Sequence, residues 1–314
     1  MLNDLHNHFH NKMQDTFLIS VVLCTYNRDK FLPLALESLT KQSLDLSLWE
    51  LILIDNNCTD TTASICKNFI ESNPNIHCTY YLELAQGLSH ARNRGIVLAK
   101  GTFISFIDDD AVACQNYLSE IRTFTQKYSS ATLIGGRIYP RFEGLEPRWI
   151  SPILMPIFST LDLGETEKKL TSKRYPVGAN MIFRRSIFNT IGMFNPELGR
   201  VGKNMMGGEE KDIYLRMIKV GGEIYYAPKP FVHHIIPIER ATKPFIEKQA
   251  IGVGMSEKAR VKGHGLELMK SWMRELAKWA FSLALALFYF ITFRPAKAGL
   301  LIQFRWWVTK GLML

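Results

Sequence analysis

The sequence predicts an α/β protein built on a largely parallel sheet, followed by a basic and apolar helical extension. The first 110 residues alternate short apolar runs with longer amphipathic segments, as in repeated βαβ units. The fourth apolar run ends directly on three aspartates, at a position where ligands collect in such sheets. From Lys243 to Leu314 there are 12 Lys/Arg against 4 Asp/Glu, which gives this stretch +8 of the net charge of +9.

The predicted elements of the sheet follow one another in a regular order. The first strands are continuous apolar runs, at Leu18–Cys24, Glu50–Asp55, Ile76–Leu82 and Thr102–Ile107. Amphipathic spacing predicts the intervening helices at Leu32–Lys41, Thr61–Ile70 and Leu88–Ala99. Later elements are expected at Tyr117–Lys127 (helix), Val177–Phe183 (strand) and Glu209–Val220 (helix). The stretch from Tyr139 to Tyr175 is rich in Pro, Gly and charge, and favours a substrate loop.

Composition limits the function classes. The 314 residues suffice for one large domain and an appendage. The five cysteines are odd in number and contain no CxxC pair, which favours reduced thiols in the cytosol. A polar start without an apolar core predicts a flexible tail over 1–17 and no signal peptide. The remaining +1 charge before Lys243 argues against nucleic acid as a partner.

The run Asp108-Asp109-Asp110 is the strongest indication of chemistry. Adjacent carboxylates repel one another, and a divalent cation removes that repulsion. Carboxylate oxygens are the ligands that Mg²⁺ or Mn²⁺ prefers, and the cation would neutralise a departing diphosphate. The alternative is a turn that caps a helix, where Asp is also favoured.

Two further segments are candidate contacts for a nucleotide. Asp55 follows the second strand, where its carboxylate would accept hydrogen bonds from a nucleotide base or ribose; a turn is the alternative. Arg92 and Arg94 lie in a helix that follows Gln86-Gly87. They are too close in sequence to share one face, so at most one points at a ligand such as a diphosphate.

Acidic and histidine pairs supply the remaining candidates. Glu209 and Glu210 open a helix directly after Gly207-Gly208, where a carboxylate can serve as a general base or complement the helix dipole. His233 and His234 follow an apolar stretch, and a neutral imidazole is a good ligand for Mn²⁺. A solvent-facing histidine is the alternative.

Together these segments resemble the inverting family 2 glycosyltransferases with the GT-A fold, over roughly Leu18 to Ile236. The stretches that carry the resemblance are, in order, VVLCTYNR, LILIDNNCTD, QGLSHARNRG, FIDDDA, GANMIFRRSIFNTIGMF, GGEEKDIYLR and YAPKPFVHH. The resemblance implies a Rossmann-like, mostly parallel sheet that binds a nucleotide-diphospho-sugar, with a divalent cation, Mn²⁺ or Mg²⁺, as cofactor.

The resemblance assigns donor contacts position by position. Thr25 and Asn27 would line the nucleotide pocket. Asp55 would meet the base, and Arg92 would lie near the diphosphate. Asp109 is placed with the donor as well.

The resemblance also assigns the metal ligands. Asp108 and Asp110 match the DxD pattern, in which the last acid usually touches the metal and the first touches the ribose. His234 fits the V-x-H spacing better than His233 and is the expected third ligand.

The catalytic base follows from the Glu-Asp motif of the family. Here the pair reads Glu209-Glu210, so Glu210 is the expected base and Glu209 the alternative. Gly178, Ala179 and Asn180 would face the donor sugar or the acceptor.

The implied reaction is a single displacement on a nucleotide sugar, UDP by default, with GDP and dTDP as alternatives. The base would deprotonate an acceptor hydroxyl, which attacks the anomeric carbon opposite the diphosphate and inverts it. A saccharide or lipid-linked saccharide in polysaccharide or glycolipid synthesis is the expected acceptor. A sugar nucleotidyltransferase is the main alternative, although a Gly-rich triphosphate loop with a following Arg or Lys is absent after the first strand.

The domain boundary is expected near Thr242, with a catalytic domain over 18–242 and a tail over 243–314. The apolar run Trp279–Phe293 is shorter than the ~20 residues that span a bilayer, and extending it back to Leu276 includes one lysine that could snorkel, which leaves a crossing open. Phe304 to Leu314 suits an interface-lying helix. We therefore expect association with the cytoplasmic face of a membrane, either peripheral or through a C-terminal hydrophobic anchor; a helical hairpin packed on the catalytic domain or on another subunit is the alternative.

Overall fold

The computed structural model describes residues 17–171, 175–202, 207–261 and 265–314. The predicted N-terminal tail lies outside these residues except for Phe17. Within the described residues, one nine-stranded sheet forms the centre of the protein. Helices connect the strands of this sheet, and three further helices follow its last strand.

The first half of the sheet is parallel, as the sequence predicts. Its strands are β1 (Phe17–Thr25), β2 (Trp49–Asp55), β3 (Cys78–Leu82) and β4 (Gly101–Asp108). They pair in the spatial order β3-β2-β1-β4. The connecting helices are α1 (Leu32–Thr40), α2 (Thr62–Ser72) and α3 (Leu88–Leu98). Each predicted element of this half is present, with bounds that differ by a few residues at most.

The second half of the sheet is mixed, so the expectation of a mostly parallel sheet holds only for the first half. Its strands are β5 (Ala111–Ala113), β6 (Ala131–Phe142), β7 (Lys168–Lys169), β8 (Asn180–Arg184) and β9 (Glu223–Ile236). Strand β8 runs antiparallel to both β4 and β6, β6 is parallel to β9, and β5 and β7 pair antiparallel with β9. The helices of this half are α4 (Tyr117–Lys127), α5 (Phe188–Ile191) and α6 (Glu209–Lys219).

Close packing between helix and sheet fixes α3 over the first strands. The central strand is buried on both faces, since Val21, Val22 and Leu23 are all fully inaccessible. A Cβ at Gly95 would lie 2.3 Å from Val22 Cγ1, so only glycine lets α3 approach this closely. This contact holds Arg92, one turn earlier in α3, close to the end of the sheet.

The C-terminal residues form three helices, α7 (Lys243–Arg260), α8 (Gly265–Ile291) and α9 (Pro295–Met313). Helices α7 and α9 touch backbone to backbone: a Cβ at Gly254 would lie 2.1 Å from Val308 O, and one at Gly311 would lie 2.1 Å from Ile251 O. Glycine at the crossing therefore sets the distance between the two helices.

The three helices share a hydrophobic cluster with the rest of the chain. From the catalytic region come Ile150, Leu154, Phe158 and Ile236, and from the tail come Ile246, Ala250, Ala286, Tyr289, Ala298, Leu300, Leu301, Phe304 and Val308. The hydroxyls of Ser151 and Tyr289 are hydrogen-bonded at 2.8 Å. The inner faces of the tail helices thus pack on the domain, as in the alternative of a helical hairpin packed on the catalytic domain.

The outer face of α8 carries a row of exposed apolar side chains that we call the outer stripe. Its members recur at spacings of three, four or seven and are each more than half exposed: Leu266, Met269, Met273, Leu276, Leu283, Leu287 and Phe290. Such spacing places them on one side of the helix. Among the described helices, none has the length and apolarity needed to cross a bilayer.

Candidate active site

One large cleft, with a volume of about 1840 Å³, is lined by the three aspartates that follow β4, by His234, Arg28, Arg92 and Arg240, and by the two glutamates of α6. The strand ends contribute Thr25 and Asp108, and the start of α6 contributes Glu210. The tail helices form the opposite wall, where Ser256 and Arg305 are among the lining residues. The cleft therefore lies where the carboxyl ends of parallel strands meet, as expected for a ligand site in an α/β sheet.

The sheet register brings Asp108, Asp110 and His234 together. Asp108 ends β4, and the short strand β5 that follows pairs antiparallel with β9, so that Ala111 lies opposite His234. The amide of Ile235 donates to Asp110 O at 2.8 Å. His234 Nε2 lies 3.0 Å from Asp110 Oδ1, and one ligand atom from each of the three side chains falls within 4.8 Å of the others.

His233 lies on the opposite face of β9, since neighbouring residues in a strand alternate sides. Its ring stacks on Tyr139, with centroids 5.5 Å apart. His234 is buried, at 2 % exposure. The choice of His234 over His233 as the residue near the aspartates agrees with this geometry.

The three aspartates differ in their proton affinity. Burial raises the pKa of Asp109 to about 7, and the charge of Asp110 adds to the rise. Burial also raises the pKa of Asp108, against the lowering charge of Arg92. At Asp110 the penalty of burial is outweighed by His234 and Arg28, so that its pKa falls below the usual range. Asp110 therefore remains an anion in the buried cluster.

Two arginines that sequence reasoning missed contact the same carboxylate. Arg240 Nη1 lies 3.2 Å and Arg28 Nη1 lies 3.6 Å from Asp110 Oδ2. Arg28 follows directly after the Tyr26-Asn27 pair of the first motif, which is a signal the sequence contains. Arg240 comes from the loop after β9 and has no comparable signal. Both line the cleft and offer positive charge beside the aspartates.

Arg92 connects the aspartates with the acids of α6. The buried guanidinium lies 2.8 Å from Glu209 Oε1, 3.5 Å from Glu210 Oε1 and 3.7 Å from Asp108 Oδ1. Its side chain is 2 % exposed. The sequence places Arg92 near a diphosphate; in the structure three carboxylates already surround its charge.

The two glutamates of α6 occupy different environments. Glu209 is buried against Arg92. The side chain of Glu210 is 22 % exposed and lines the cleft, with Oε1 accepting from the amide of Gly178 at 2.8 Å. Burial raises the pKa of Glu210 to about 7, and the charge of Glu209 adds to the rise. Glu210 therefore combines access to the cleft with a pKa raised to about 7, as a general base requires.

Gly178 is the member of the Gly-Ala-Asn stretch that reaches the site. A Cβ there would lie 2.1 Å from Glu210 Oε1 and 2.2 Å from Arg92 Nη2. Ala179 is fully buried. The side chain of Asn180 is held inside the protein, since its Nδ2 donates to Arg137 O and Pro230 O and its Oδ1 accepts from the Tyr117 hydroxyl. Contact of Ala179 and Asn180 with a sugar stays a prediction.

The expected nucleoside contacts cluster at the ends of β1 and β2. Thr25 and Asn27 line the cleft, and Asn27 has a φ of 50°. Asp55 is 1 % exposed, and both of its carboxylate oxygens are bonded: Oδ1 accepts from Cys58 N and Oδ2 from the Tyr80 hydroxyl, each at 2.7 Å. Contact between Asp55 and a nucleotide base stays a prediction.

Comparison with known proteins identifies the family of this site. Residues 20–192 match the family model for glycosyl transferase family 2. The chain is 24 % identical to the succinoglycan biosynthesis protein ExoM of Rhizobium meliloti over 275 residues, covering 84 % of this chain and 81 % of that protein. It is also 24 % identical to the glucosyl-dolichyl phosphate glucuronosyltransferase of Haloferax volcanii over 220 residues, covering 69 % and 68 %.

A solved structure shares the fold. The mannosyltransferase PcManGT of Pyrobaculum calidifontis, in complex with GDP-Man and Mn²⁺, superposes with a TM-score of 0.60 at 14 % identity. The match covers 96 % of this chain and 91 % of that one. This likeness supports a GT-A-like fold, and the matched family model covers more than half of the chain. The chain is therefore a glycosyltransferase and belongs to glycosyl transferase family 2.

Proposed function

We propose that the protein transfers a sugar from a nucleotide-sugar donor to an acceptor hydroxyl with inversion of the anomeric carbon. The observation that carries the proposal is the arrangement around Arg92. Its Nη2 lies 3.7 Å from Asp108 of the candidate metal-ligand group and 3.5 Å from Glu210, and both acids line one cleft. The cleft can therefore hold a donor diphosphate beside the metal-ligand group and an acceptor hydroxyl beside Glu210, the candidate general base.

The chemistry of the donor set fits a divalent cation. Asp108, Asp110 and His234 offer two carboxylates and an imidazole, a set that suits Mn²⁺ and also admits Mg²⁺. When bound, the cation stabilises the negative charge that develops on the departing diphosphate. Arg28 and Arg240 lie within 3.6 Å of Asp110. In the proposed complex they neutralise further charge of the phosphates.

Glu210 is the proposed general base. With a pKa raised to about 7, it is ionised in a substantial fraction of molecules at neutral pH and still has affinity for a proton. It takes the proton from the acceptor hydroxyl, and the oxygen attacks the anomeric carbon from the face opposite the diphosphate. Glu209 is the less suitable base, because it is buried and paired with Arg92 at 2.8 Å.

For the donor, we propose Thr25, Asn27, Asp55 and Asp109 as contacts of the nucleoside side. UDP is the proposed nucleotide, with GDP and dTDP as alternatives. The named relatives act in succinoglycan biosynthesis and on a glucosyl-dolichyl phosphate. A saccharide or lipid-linked saccharide acceptor for this chain is in keeping with them.

A donor screen tests the proposal. Thermal unfolding is followed with UDP-, GDP- and dTDP-sugars, with and without Mn²⁺. A matching donor at 100-fold its Kd should stabilise the fold by about 2.7 kcal/mol, and the effect should need the cation. Release of a nucleoside diphosphate together with a glycosylated acceptor supports the proposal. Release of inorganic diphosphate from a nucleoside triphosphate would instead identify a sugar nucleotidyltransferase.

Membrane association at the cytoplasmic face is a separate proposal, supported by the outer stripe and the charge of the tail. The stripe is exposed along α8, and the tail holds +8 of the net charge, which suits an anionic lipid surface. Flotation with phosphatidylglycerol vesicles tests it. Leu283→Glu with Leu287→Glu should abolish binding, whereas Leu84→Glu, at a more exposed site on the domain, should not. Equal binding by all three proteins would refute the proposal.

A further inference from the structure

A group of basic side chains lies in the cleft on the tail side, away from the proposed metal ligands. We call it the basic cluster, and its members are Lys211, Arg260, Arg274, Lys278 and Arg305. They come from four helices, α6 to α9, and all line the same cleft as Glu210. Lys211 follows Glu210 directly in α6, so the cluster begins beside the proposed base.

Glu257 is surrounded by three of these cations. Its carboxylate oxygens lie 2.5 Å from Lys211 Nζ, 2.7 Å from Arg260 Nη2 and 3.2 Å from Arg274 Nη2. Burial opposes ionisation of Glu257, but the hydrogen bonds and charges of Arg260 and Lys211 outweigh it and lower its pKa. Lys211 and Arg260 already balance the single negative charge of Glu257, so Arg274, its most distant partner, is not needed to neutralise it.

Glu275, in α8, shows the same excess of cations. Arg305 Nη1 lies 3.0 Å and Lys278 Nζ lies 3.5 Å from its carboxylate. Glu267 also lines the cleft, but Lys270 pairs with it at 2.7 Å. The five cations of the basic cluster face two carboxylates, which leaves three positive charges for an anion.

Arg274 and Lys278, the cations that lie furthest from Glu257 and Glu275, are on one face of one helix. Arg274 and Lys278 are four residues apart in α8, a spacing that brings side chains to within about 5–6 Å at Cβ. They are the most exposed members of the cluster, at 47 % and 57 %, so a ligand in the cleft can reach them. This separation suits two oxygens of one phosphate group.

An apolar wall continues the cleft beyond the basic cluster. Phe281 follows Lys278 on α8, and Phe304, Val308 and Leu312 of α9 line the cleft as well. Phe281 is 56 % exposed and therefore stands at the boundary between the cleft and the outside. An anion-binding face that adjoins hydrocarbon-like surface is suited to an amphipathic ligand.

We propose that the acceptor is a lipid-linked saccharide phosphate and that Arg274 and Lys278 bind its phosphate. The hydrocarbon chain then lies along the exposed ring of Phe281, and the sugar hydroxyl reaches Glu210 past Lys211. This inference rests on the proposed glycosyltransfer and adds the site that recognises the acceptor. The phosphate is thus a determinant of specificity, because a neutral glycolipid offers no charge to Arg274 and Lys278, whose present partners Glu257 and Glu275 are each shared with a nearer cation.

The test compares probes that separate phosphate from hydrocarbon. Decyl phosphate, decyl glucoside and inorganic phosphate are titrated against the full chain by calorimetry. Decyl phosphate should bind at least about tenfold more tightly than either other probe, since a hydrogen bond to a charged group contributes roughly a factor of ten or more. Equal affinity for decyl phosphate and decyl glucoside would overturn the proposal.

Matched variants locate the site. Arg274→Gln with Lys278→Gln should weaken decyl phosphate binding by about 10- to 100-fold. Lys248→Gln with Lys310→Gln removes the same charge from tail residues that do not line the cleft, and should leave the affinity unchanged. The charge-preserving pair Arg274→Lys with Lys278→Arg should restore most of the binding. If the control pair loses affinity equally, general attraction to the basic tail explains the result and the site is refuted.

Other outcomes distinguish the source of the phosphate and the underlying function. Vesicle binding should fall equally in the two Gln pairs, because bulk anionic lipid responds to net charge; a selective loss in the cleft pair would assign the cluster to lipid headgroups instead. Circular dichroism and thermal unfolding establish that each variant is folded. A wild-type chain that binds no nucleotide sugar would refute the proposed function, whereas a chain that binds donor but not decyl phosphate refutes only this inference.

Discussion

Substitution of the two glutamates of α6 separates catalysis from structure. Glu210→Gln keeps the size of the side chain and removes its ability to accept a proton, so kcat should fall by about 10²–10⁴-fold. Its stability should change little, because the side chain is partly exposed and its oxygen can still accept from Gly178. Glu209→Gln instead leaves the buried Arg92 without its nearest partner, which destabilises the fold by as much as ~3–5 kcal/mol.

The pH dependence of the wild-type enzyme gives a second measure. A base must be unprotonated, so activity should rise with pH through the pKa of about 7 and then level off. At about pH 6, roughly one-eleventh of the Glu210 carboxyl would be ionised, and kcat/KM should be about tenfold below its plateau. Glu210→Gln should lose this limb of the profile along with its activity.

Steady-state kinetics and thermal unfolding of both variants check the assignment. The reasoning is refuted if Glu210→Gln remains active with an unchanged acidic limb. If Glu209→Gln is folded and inactive while Glu210→Gln is active, the base is Glu209. If both remain active, the acids serve only the dipole of α6 and the contact with Arg92.

Three further substitutions test other parts of the structure. Asp110→Asn should abolish the Mn²⁺-dependent stabilisation by a nucleotide sugar in thermal unfolding; an unchanged Mn²⁺ effect would remove the metal assignment. Gly178→Ala should lower kcat at least about tenfold, because the new methyl group displaces the Glu210 side chain. Gly299→Ala, in open space on α9, is the control and should leave kcat unchanged while stabilising the fold by ~0.4–1 kcal/mol. Equal kinetics for the two variants would contradict the clash at Gly178. Gly254→Ala should lower the free energy of unfolding by about 1–3 kcal/mol in denaturant titrations, because its Cβ would clash with the backbone of α9. An unchanged free energy of unfolding would mean that α7 and α9 can move apart at no cost.

The parallel half of the fold was predictable because each of its elements is local and regular. Apolar runs and amphipathic segments alternate up to Asp108, and the strand-end rule then places Thr25, Asp55 and Asp108 at one edge. The 12-residue strand β6 was missed, since Gly135-Gly136, Arg137 and Pro140 interrupt its pattern. Gly136 is explained only by tertiary packing, because a Cβ there would lie 2.1 Å from Asn180 Nδ2.

The candidate site was predictable only in part, for a similar reason. Motif residues such as Asp110 and His234 are recognisable in the sequence, and the β5–β9 register brings them together. The role of Arg240 depends on the path of the chain after β9, which no local pattern encodes. The partners of Glu257 lie on three different helices, so the basic cluster exists only once the tail has packed.

The cluster shared between the tail and the catalytic region affects how the chain folds during synthesis. Ile150, Leu154 and Phe158 are made long before Leu301 and Val308, which cover them in the folded protein. Translation at about 5–20 residues per second leaves this apolar segment uncovered for roughly 7 to 30 seconds. A nascent chain in this interval presents a hydrophobic surface of the kind that chaperones recognise. Tail substitutions that slow its packing are therefore expected to reduce the yield of folded protein before they alter the stability of the finished fold.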